Sequence, residues 1–299
     1  MDSLAPIVLF VYNRLDHTKQ TIEALQKNEL AEESELFIYS DAAKNEDAMK
    51  QVNEVREYIK SIDGFKTVIV IEREKNWGLA NSIIDGVTNI INQYGKIIVL
   101  EDDLITSPHF LEFMNDTLRF YKTEKGVFAI SGYSNISIPP EYKHNMYFAH
   151  ISTSWGWATW SDRWKSIDWD NKCYLKLLEN RKLLKEIEKK VGNSRIKMLQ
   201  IQMKGKIDSW AVRRLFSQLI QNKMTLFPSK TLVQNIGHDG SGIHCGNNSD
   251  FDKDNKLSKT NLFEELPFRE DRLINKLIYK KNHTTVISKI KNRVKRLFK

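Results

Sequence analysis

A chain of 299 residues with 41% hydrophobic and 28% charged content can bury one large core or two small ones, and this composition excludes a disordered or fibrous protein. The longest apolar runs, such as Pro6 to Tyr12 and Lys96 to Leu100, fall far short of the roughly 20 residues that span a bilayer, and no secretory pattern opens the sequence. The net charge of +8 is unevenly spread: Lys280 to Lys299 holds eight Lys or Arg and no acid, so the remainder is close to neutral, which argues against a nucleic-acid surface spread over the fold.

In chain order, the first hundred residues alternate short apolar runs with helical patterns, the signature of βαβ units in a mostly parallel sheet. Strands are predicted from Ile7 to Tyr12, from Leu36 to Tyr39 (ending at Ser40-Asp41), from Val68 to Glu72 and from Lys96 to Leu100. Helices are predicted between them, from His17 to Gln26, Glu46 to Ile62 and Leu79 to Gln93. Each strand is continuous in apolar character, as expected when helices cover both faces of a sheet. Beyond Glu101 come a helix from Pro108 to Tyr121, a strand from Val127 to Ser131, and an aromatic-rich stretch from Tyr142 to Trp169 with little periodicity. The section from Leu175 to Leu199 is helical and highly charged, and Asp208 opens a further helix with Val212, Leu215, Phe216 and Leu219 at helical spacing. Short strands at Thr225 to Pro228 and Thr231 to Val233 lead into a glycine-rich loop from Asn235 to Asn248. Cys173 and Cys245 lie far apart and outside any metal-ligand spacing, and read as unpaired thiols in a reducing compartment.

Glu101-Asp102-Asp103 directly follows the apolar run Ile97-Ile98-Val99-Leu100. Three adjacent carboxylates would cost several kcal/mol if buried unpaired, so they need a cation or solvent. In an open α/β sheet, ligands bind beyond the carboxyl ends of the strands, where this triplet falls. Mg²⁺ and Mn²⁺ take one or two carboxylates and fill their remaining positions with water and phosphate oxygens. The alternative is a solvated turn whose acids cap the following helix. Arg14 and Asp41 stand at the ends of the first two strands, where a guanidinium and a carboxylate suit the phosphate, base or ribose of a nucleotide. Taken singly, each is equally a turn residue.

Together with Pro6-Ile-Val-Leu-Phe-Val-Tyr-Asn-Arg14, Ser40-Asp41 and Asn76-Trp77-Gly78-Leu79-Ala80, the run Val99-Leu-Glu-Asp-Asp103 resembles the nucleotide-binding half of GT-A fold glycosyltransferases. The likeness is to the N-acetylglucosaminyltransferase I type and to related bacterial sugar transferases of the inverting family two, over roughly residues 5 to 245. It implies a Rossmann-like α/β/α GT-A domain over 1–250, with a nucleotide-binding half at 1–105 and an acceptor half at 106–250. A C-terminal extension occupies 251–299. It also implies that Asp103 binds the metal, that Glu101 and Asp102 hold the sugar nucleotide, that Arg14 and Asp41 contact the nucleotide, and that Asn76 and Gly78 line the donor pocket. UDP is the nucleotide the resemblance favours.

Inverting sugar transfer needs a carboxylate to deprotonate the acceptor and a cation for the leaving diphosphate. Asp208, beside Trp210 at a predicted helix start, resembles the family's base; the plainer role is a helix N-cap. Trp155, Trp157, Trp160, Trp164 and Trp169 crowd one span, some expected in the core and one or two at the acceptor site. Gly156 permits close approach by a ligand or a neighbouring backbone. In the glycine-rich loop His244 is the candidate contact to diphosphate or metal and His238 the weaker one, and each is equally an exposed loop histidine. Val286, Ile290, Val294 and Leu297 form an apolar stripe among Lys and Arg, a pattern suited to an anionic membrane surface; a solvated charge run or a nucleic-acid contact are the alternatives.

These features point to a glycosyltransferase that uses Mn²⁺ or Mg²⁺ to move a sugar from a nucleotide-sugar donor to a glycan or lipid-linked acceptor in surface polysaccharide or glycoconjugate synthesis. The expected location is cytoplasmic and peripheral to the inner face of the membrane, without nucleic acid as a partner. A sugar nucleotidyltransferase and a catalytically silent glycan- or membrane-binding protein of the same fold are the rival functions. The first would normally carry a glycine-rich loop where this chain has Asn13-Arg14-Leu15-Asp16.

Overall fold

The computed structural model describes residues 3–134, 136–240 and 256–283. His244, Cys245 and the apolar stripe of the tail lie outside the described residues. The first half builds β1 (Ile7–Val11), α1 (Leu15–Gln26), β2 (Glu35–Ser40), α2 (Glu46–Ile59), β3 (Thr67–Glu72), α3 (Gly78–Tyr94) and β4 (Lys96–Glu101). Then follow β5 (Leu104–Thr106), α4 (Phe110–Phe120), β6 (Val127–Ser131), β7 (Met146–Ala149), β8 (Trp157–Trp160) and α5 (Ser161–Lys165). The remainder comprises α6 (Lys172–Glu179), α7 (Arg181–Val191), α8 (Asn193–Met203), α9 (Trp210–Ile220), β9 (Met224–Pro228), β10 (Val233–Asn235) and α10 (Arg272–Asn282).

The main sheet runs in the order β3-β2-β1-β4-β8-β6-β9-β7. The first four strands in that order are parallel, β8 runs antiparallel to β4 and β6, β9 is parallel to β6, and β7 is antiparallel to β9. The carboxyl ends of β1, β2, β4, β6 and β9 therefore share one edge. Helices cover both faces, as the apolar continuity of the strands requires. Ile22 and Leu25 of α1, Val55 and Ile59 of α2, and Phe110, Leu111 and Met114 of α4 fill one face. On the other, Ile83 and Val87 of α3, Trp164 of α5 and Trp210 of α9 pack against Val8, Phe37, Val99 and Trp157. A third cluster joins α6 to α10 with β7 and β9.

Four local outcomes differ from the sequence expectation. β3 alternates exposed and half-buried residues instead of being buried throughout, because it is an edge strand with only β2 beside it. The aromatic stretch hides β7 and β8: every residue of both is buried, so no two-residue alternation shows in the sequence. The section expected to be helical from Leu175 to Leu199 is helical but divided among three helices. It breaks at Asn180, whose side chain accepts from the Leu183 N–H, and at Gly192, which has φ 82° and where a Cβ would stand 2.6 Å from the Asn282 carbonyl carbon. The last short strand is shifted to Val233–Asn235 and pairs antiparallel with β5, setting Asn235 opposite Leu104.

Residues 256–271 strap the molecule: the Ser107 hydroxyl donates to the Ser258 carbonyl (2.6 Å), the Tyr121 hydroxyl donates to the Leu266 carbonyl (2.7 Å), and Leu262 and Leu266 enter the core.

Candidate active site

Arg14 leaves β1 at the N-cap position of α1, where its side chain makes no capping bond. It turns inward instead. Its Nη2 donates to Asp102 Oδ1 in a close ion pair and to Asp103 Oδ2 at 2.8 Å. All three groups are largely buried, with side chains 18%, 6% and 11% exposed in that order. The turn that carries the carboxylates is pinned by Thr21 of α1, whose hydroxyl donates to the Asp102 carbonyl (2.8 Å) and accepts from the Leu104 N–H (3.2 Å).

One guanidinium thus faces three neighbouring carboxylates. Burial pushes the Glu101 carboxyl up to about 8, and the charges of Asp103 and Asp102 add to that against the pull of Arg14. Burial also raises Asp102, with Arg14 opposing. For Arg14, burial disfavours the charge, but the two carboxylates outweigh it and its pKa rises. The site therefore carries more acid than its own cation balances, a surplus suited to a divalent ion.

The start of the glycine-rich loop closes over this point. The Ile236 N–H donates to the Asp103 carbonyl (2.9 Å), and the Asn235 side-chain amide donates to Asp103 Oδ1 (3.2 Å). Gly237 follows, with its N–H on the Asn235 side-chain oxygen (2.9 Å). A Cβ on Gly237 would lie 2.2 Å from Asp103 Oδ2 and 2.9 Å from Arg14 Nη1, so no larger residue fits without moving them. His17 Nε2 stands 3.2 Å from an Asp239 carboxyl oxygen, tying the same loop to α1. Asn235, Gly237 and Thr21 are the site residues that sequence reasoning missed. Asn235 stood out only as a loop boundary, and the Asn-x-Gly pattern was its single local signal.

Asp41, Asn76 and Gly78 meet at the next strand ends. Asp41 Oδ1 accepts from the Trp77 N–H (2.9 Å) and Oδ2 from the Gly78 N–H (2.9 Å), so its carboxylate caps α3. The Asn76 side-chain amide donates to the Ala42 carbonyl (2.7 Å). Gly78 has φ 71° with open space where a Cβ would stand, so the glycine answers a backbone need and not a steric one. Arg73 stacks 4.1 Å from the Trp77 ring centre and pairs with Asp85.

Asp208 stands apart. α9 precedes β9, which is parallel to β6, so the N-terminus of α9 lies at the carboxyl edge of the sheet with the rest of the site. Its cap is Ser209, whose hydroxyl accepts from the Val212 N–H (3.4 Å); Asp208 lies outside the helix and does not cap it. The Asp208 side chain is 63% exposed and accepts from Arg213 Nη2 at 2.7 Å. Next along the helix, Arg214 is 1% exposed, lies 4.2 Å from the Trp157 ring centre and donates from Nη2 to the Thr153 carbonyl (3.0 Å). Burial pushes its pKa down to about 9.

The tryptophan cluster divides. Trp157, Trp160 and Trp164 are core residues, the last two donating to the Leu118 carbonyl and the Thr88 hydroxyl. Trp155 and Trp169 are only partly buried: Trp155 meets Tyr133 (4.4 Å between ring centres) and His238 (5.4 Å), while Trp169 lies beside Arg213. What comes close to Gly156 is apolar packing: with φ 59°, its absent Cβ would lie 2.8 Å from Val233 Cγ2.

Among the described residues no three acidic, histidine or cysteine side chains converge as a ready metal cage, and no helix is long and apolar enough to cross a membrane.

No curated protein matches the chain. Among solved structures, the mannosyltransferase PcManGT from Pyrobaculum calidifontis, in complex with GDP-Man and Mn²⁺, is 10% identical over 53% of this chain and 45% of its own, with a TM-score of 0.37. TarS of S. aureus is 11% identical over 76% of this chain and 36% of its own, with a TM-score of 0.42. The chain thus spans less than half the length of either. The family model "Glycosyl transferase family 2" matches residues 7–184, which run from β1 through the carboxylate edge into α7. That match covers more than half of the sequence, so the chain belongs to glycosyl transferase family 2 and has the Rossmann-like GT-A fold.

Proposed function

We propose that the chain is an inverting glycosyltransferase dependent on a divalent metal, Mn²⁺ or Mg²⁺, and that it moves a sugar from a nucleoside diphosphate-sugar, a UDP-sugar in the first instance, to a glycan or lipid-linked acceptor. The product would serve surface polysaccharide or glycoconjugate synthesis. The catalytic unit is assigned to residues 1–250 and the extension to 251–299. The observation that carries this is the surplus of carboxylate at the end of β4, where Asp102 and Asp103 share the guanidinium of Arg14 and Glu101 adds a third acid beside them.

Asp103 would hold the metal, and a divalent ion there supplies positive charge for the leaving diphosphate. Mg²⁺ and Mn²⁺ keep most of their coordination for water and phosphate, so one protein carboxylate is a sufficient anchor and a full cage is not required. Arg14, beside Asp102 and Asp103, would contact the nucleotide or its phosphates. Asp41, Asn76 and Gly78 present the second wall of the donor site, with Glu101 and Asp102 toward ribose and sugar. His244 is assigned to the diphosphate or the metal. In the transfer step the acceptor oxygen forms its bond to the anomeric carbon, the bond from that carbon to the diphosphate breaks on the opposite side, and the acceptor proton passes to the Asp208 carboxylate. The exposure of Asp208 supports this role, because a base must meet an acceptor arriving from solvent.

The test is thermal stabilisation of the full chain by a panel of nucleotides and nucleotide-sugars, with and without Mn²⁺. The expected outcome is a shift confined to one diphosphate-sugar and larger with metal; stabilisation equal in its absence would remove the metal from the proposal.

A further inference from the structure

The near-neutrality of the chain outside its last twenty residues hides a segregation. Between Lys172 and Lys206 there are eleven Lys or Arg against three acids, a net charge of +8 that equals that of the whole chain. This stretch is α6, α7, α8 and the turn into α9. α10, which has no acid and four bases among its own residues, docks against α7 and α8. The backbone of Asn282 fills the space beside Gly192, and burial together with the charge of Arg195 on α8 lowers the pKa of Lys281 on α10. Two cationic elements have thus been packed together.

The lobe is also where apolar side chains stand in solvent. Of the eleven large apolar side chains exposed among the described residues, six belong to it: Leu175, Met198, Ile201, Ile207, Leu273 and Tyr279. α8 shows why. Ile196 and Leu199 face the core, yet Met198 and Ile201, one turn apart, face outward beside Lys197 and Lys204. A helix apolar on two faces has a partner among the described residues for only one of them. Leu175 repeats the arrangement on α6, exposed between Lys172 and Lys176 while Tyr174 and Leu177 are buried.

We infer that α6–α8 and α10 form a platform that docks on an anionic lipid bilayer, with cations over the headgroups and aliphatic side chains between them. A polyanion in solution would account for the lysines but gives the exposed aliphatics nothing to enter, whereas the bilayer interface takes both. The Ile207 turn joins this lobe directly to Asp208, so docking presents the proposed base at the membrane plane. The inference rests on the proposed function only in that last respect, where a lipid-linked acceptor is expected.

The experiment is co-sedimentation of the full chain with phosphatidylcholine vesicles, with or without about one-third phosphatidylglycerol. Each cation at an anionic surface contributes roughly a fivefold factor in partitioning, so the combined Lys176→Glu, Lys182→Glu and Lys204→Glu variant binds anionic vesicles at least about a hundredfold more weakly. Leu175→Ser with Ile201→Ser weakens binding several-fold at unchanged charge, while arginine at the same three lysine positions retains it, which controls for misfolding. Neutralising the tail with Lys289→Gln, Lys291→Gln, Arg293→Gln and Lys295→Gln leaves a substantial part of the binding. The platform is overturned if the tail variant abolishes binding while the lobe variants behave as wild type. It is equally overturned if the serine pair has no effect and an oligonucleotide duplex displaces the protein from vesicles. Donor hydrolysis in the presence of Mn²⁺ is measured alongside: its retention in the lobe variants separates loss of docking from loss of the site, and its absence from the wild type counts against the proposed transfer and not against the platform.

Discussion

Asp103 and Asp208 are the same residue type on the same edge of the same sheet, in opposite surroundings. The Asp103 side chain is 11% exposed and fixed by Arg14, Asn235 and the packed backbone of Gly237, while that of Asp208 is 63% exposed and, among the described residues, held by Arg213 alone. A carboxylate with several partners in a buried site is pre-organised for a cation and poorly placed to meet an incoming proton. An exposed one with a single partner is the reverse. On the proposed mechanism, charge binding and proton transfer would fall to separate elements, the β4 edge and the α9 N-terminus, so each could be removed without the other.

The comparison breaks most sharply at Asp103. Asp103→Ala is expected to lower kcat/KM on the order of a thousandfold or more, as loss of a metal's charge stabilisation implies, and to abolish the Mn²⁺-dependent part of donor stabilisation. Retention of a full Mn²⁺ effect would move the metal elsewhere. Asp208→Asn should cost on the order of a hundredfold in kcat while donor affinity and thermal midpoint stay near wild type, because the side chain is exposed and does not cap α9. Full transfer activity in that variant would remove Asp208 from the mechanism.

Gly237→Ala probes the buried side more gently. Its Cβ overlaps Asp103 Oδ2, so a stability loss of about 1–3 kcal/mol is expected, with donor binding weakened by more than the fold. Calorimetric titration with donor and Mn²⁺ would check it, and unchanged affinity would mean that the loop moves away freely.

The smallest effect is a contrast with a carboxylate of structural duty. Glu270 accepts from buried His150 (2.6 Å) and lies 3.7 Å from Lys190. The hydrogen bond from His150 holds its carboxyl below the usual range. Such stabilisation is present above the unfolded value of about 4.3 and is lost as pH falls through the lower folded value. Glu270→Gln should therefore cost about 0.5–1 kcal/mol at neutral pH, a gap that closes toward pH 3, with transfer activity unchanged; denaturant midpoints across that range would show it. A constant gap across pH would assign the loss to packing.

Much of the N-terminal half was legible because its signals are local. Strands covered on both faces read as continuous apolar runs, and Arg14, Asp41 and the triplet stand immediately after them. The C-terminal half was less legible. Buried β7 and β8 have no alternation to detect, and the three-helix lobe depends on breaks at Asn180 and Gly192, the second dictated by the distant backbone of Asn282. Asn235 reaches Asp103 only because β10 pairs with β5, a pairing between segments more than a hundred residues apart.

By itself, then, the sequence determined the βαβ order, the acidic strand end and the glycine-rich stretch, since hydrophobic periodicity and residue chemistry are carried by neighbours in the chain. Tertiary structure alone decided that Arg14 is shared by Asp102 and Asp103, that Ser209 caps α9 in place of Asp208, and that the charge of Lys172 to Lys206 gathers with α10 on one lobe. Those outcomes depend on which groups exclude water from one another, and burial of that kind is settled only when distant segments pack.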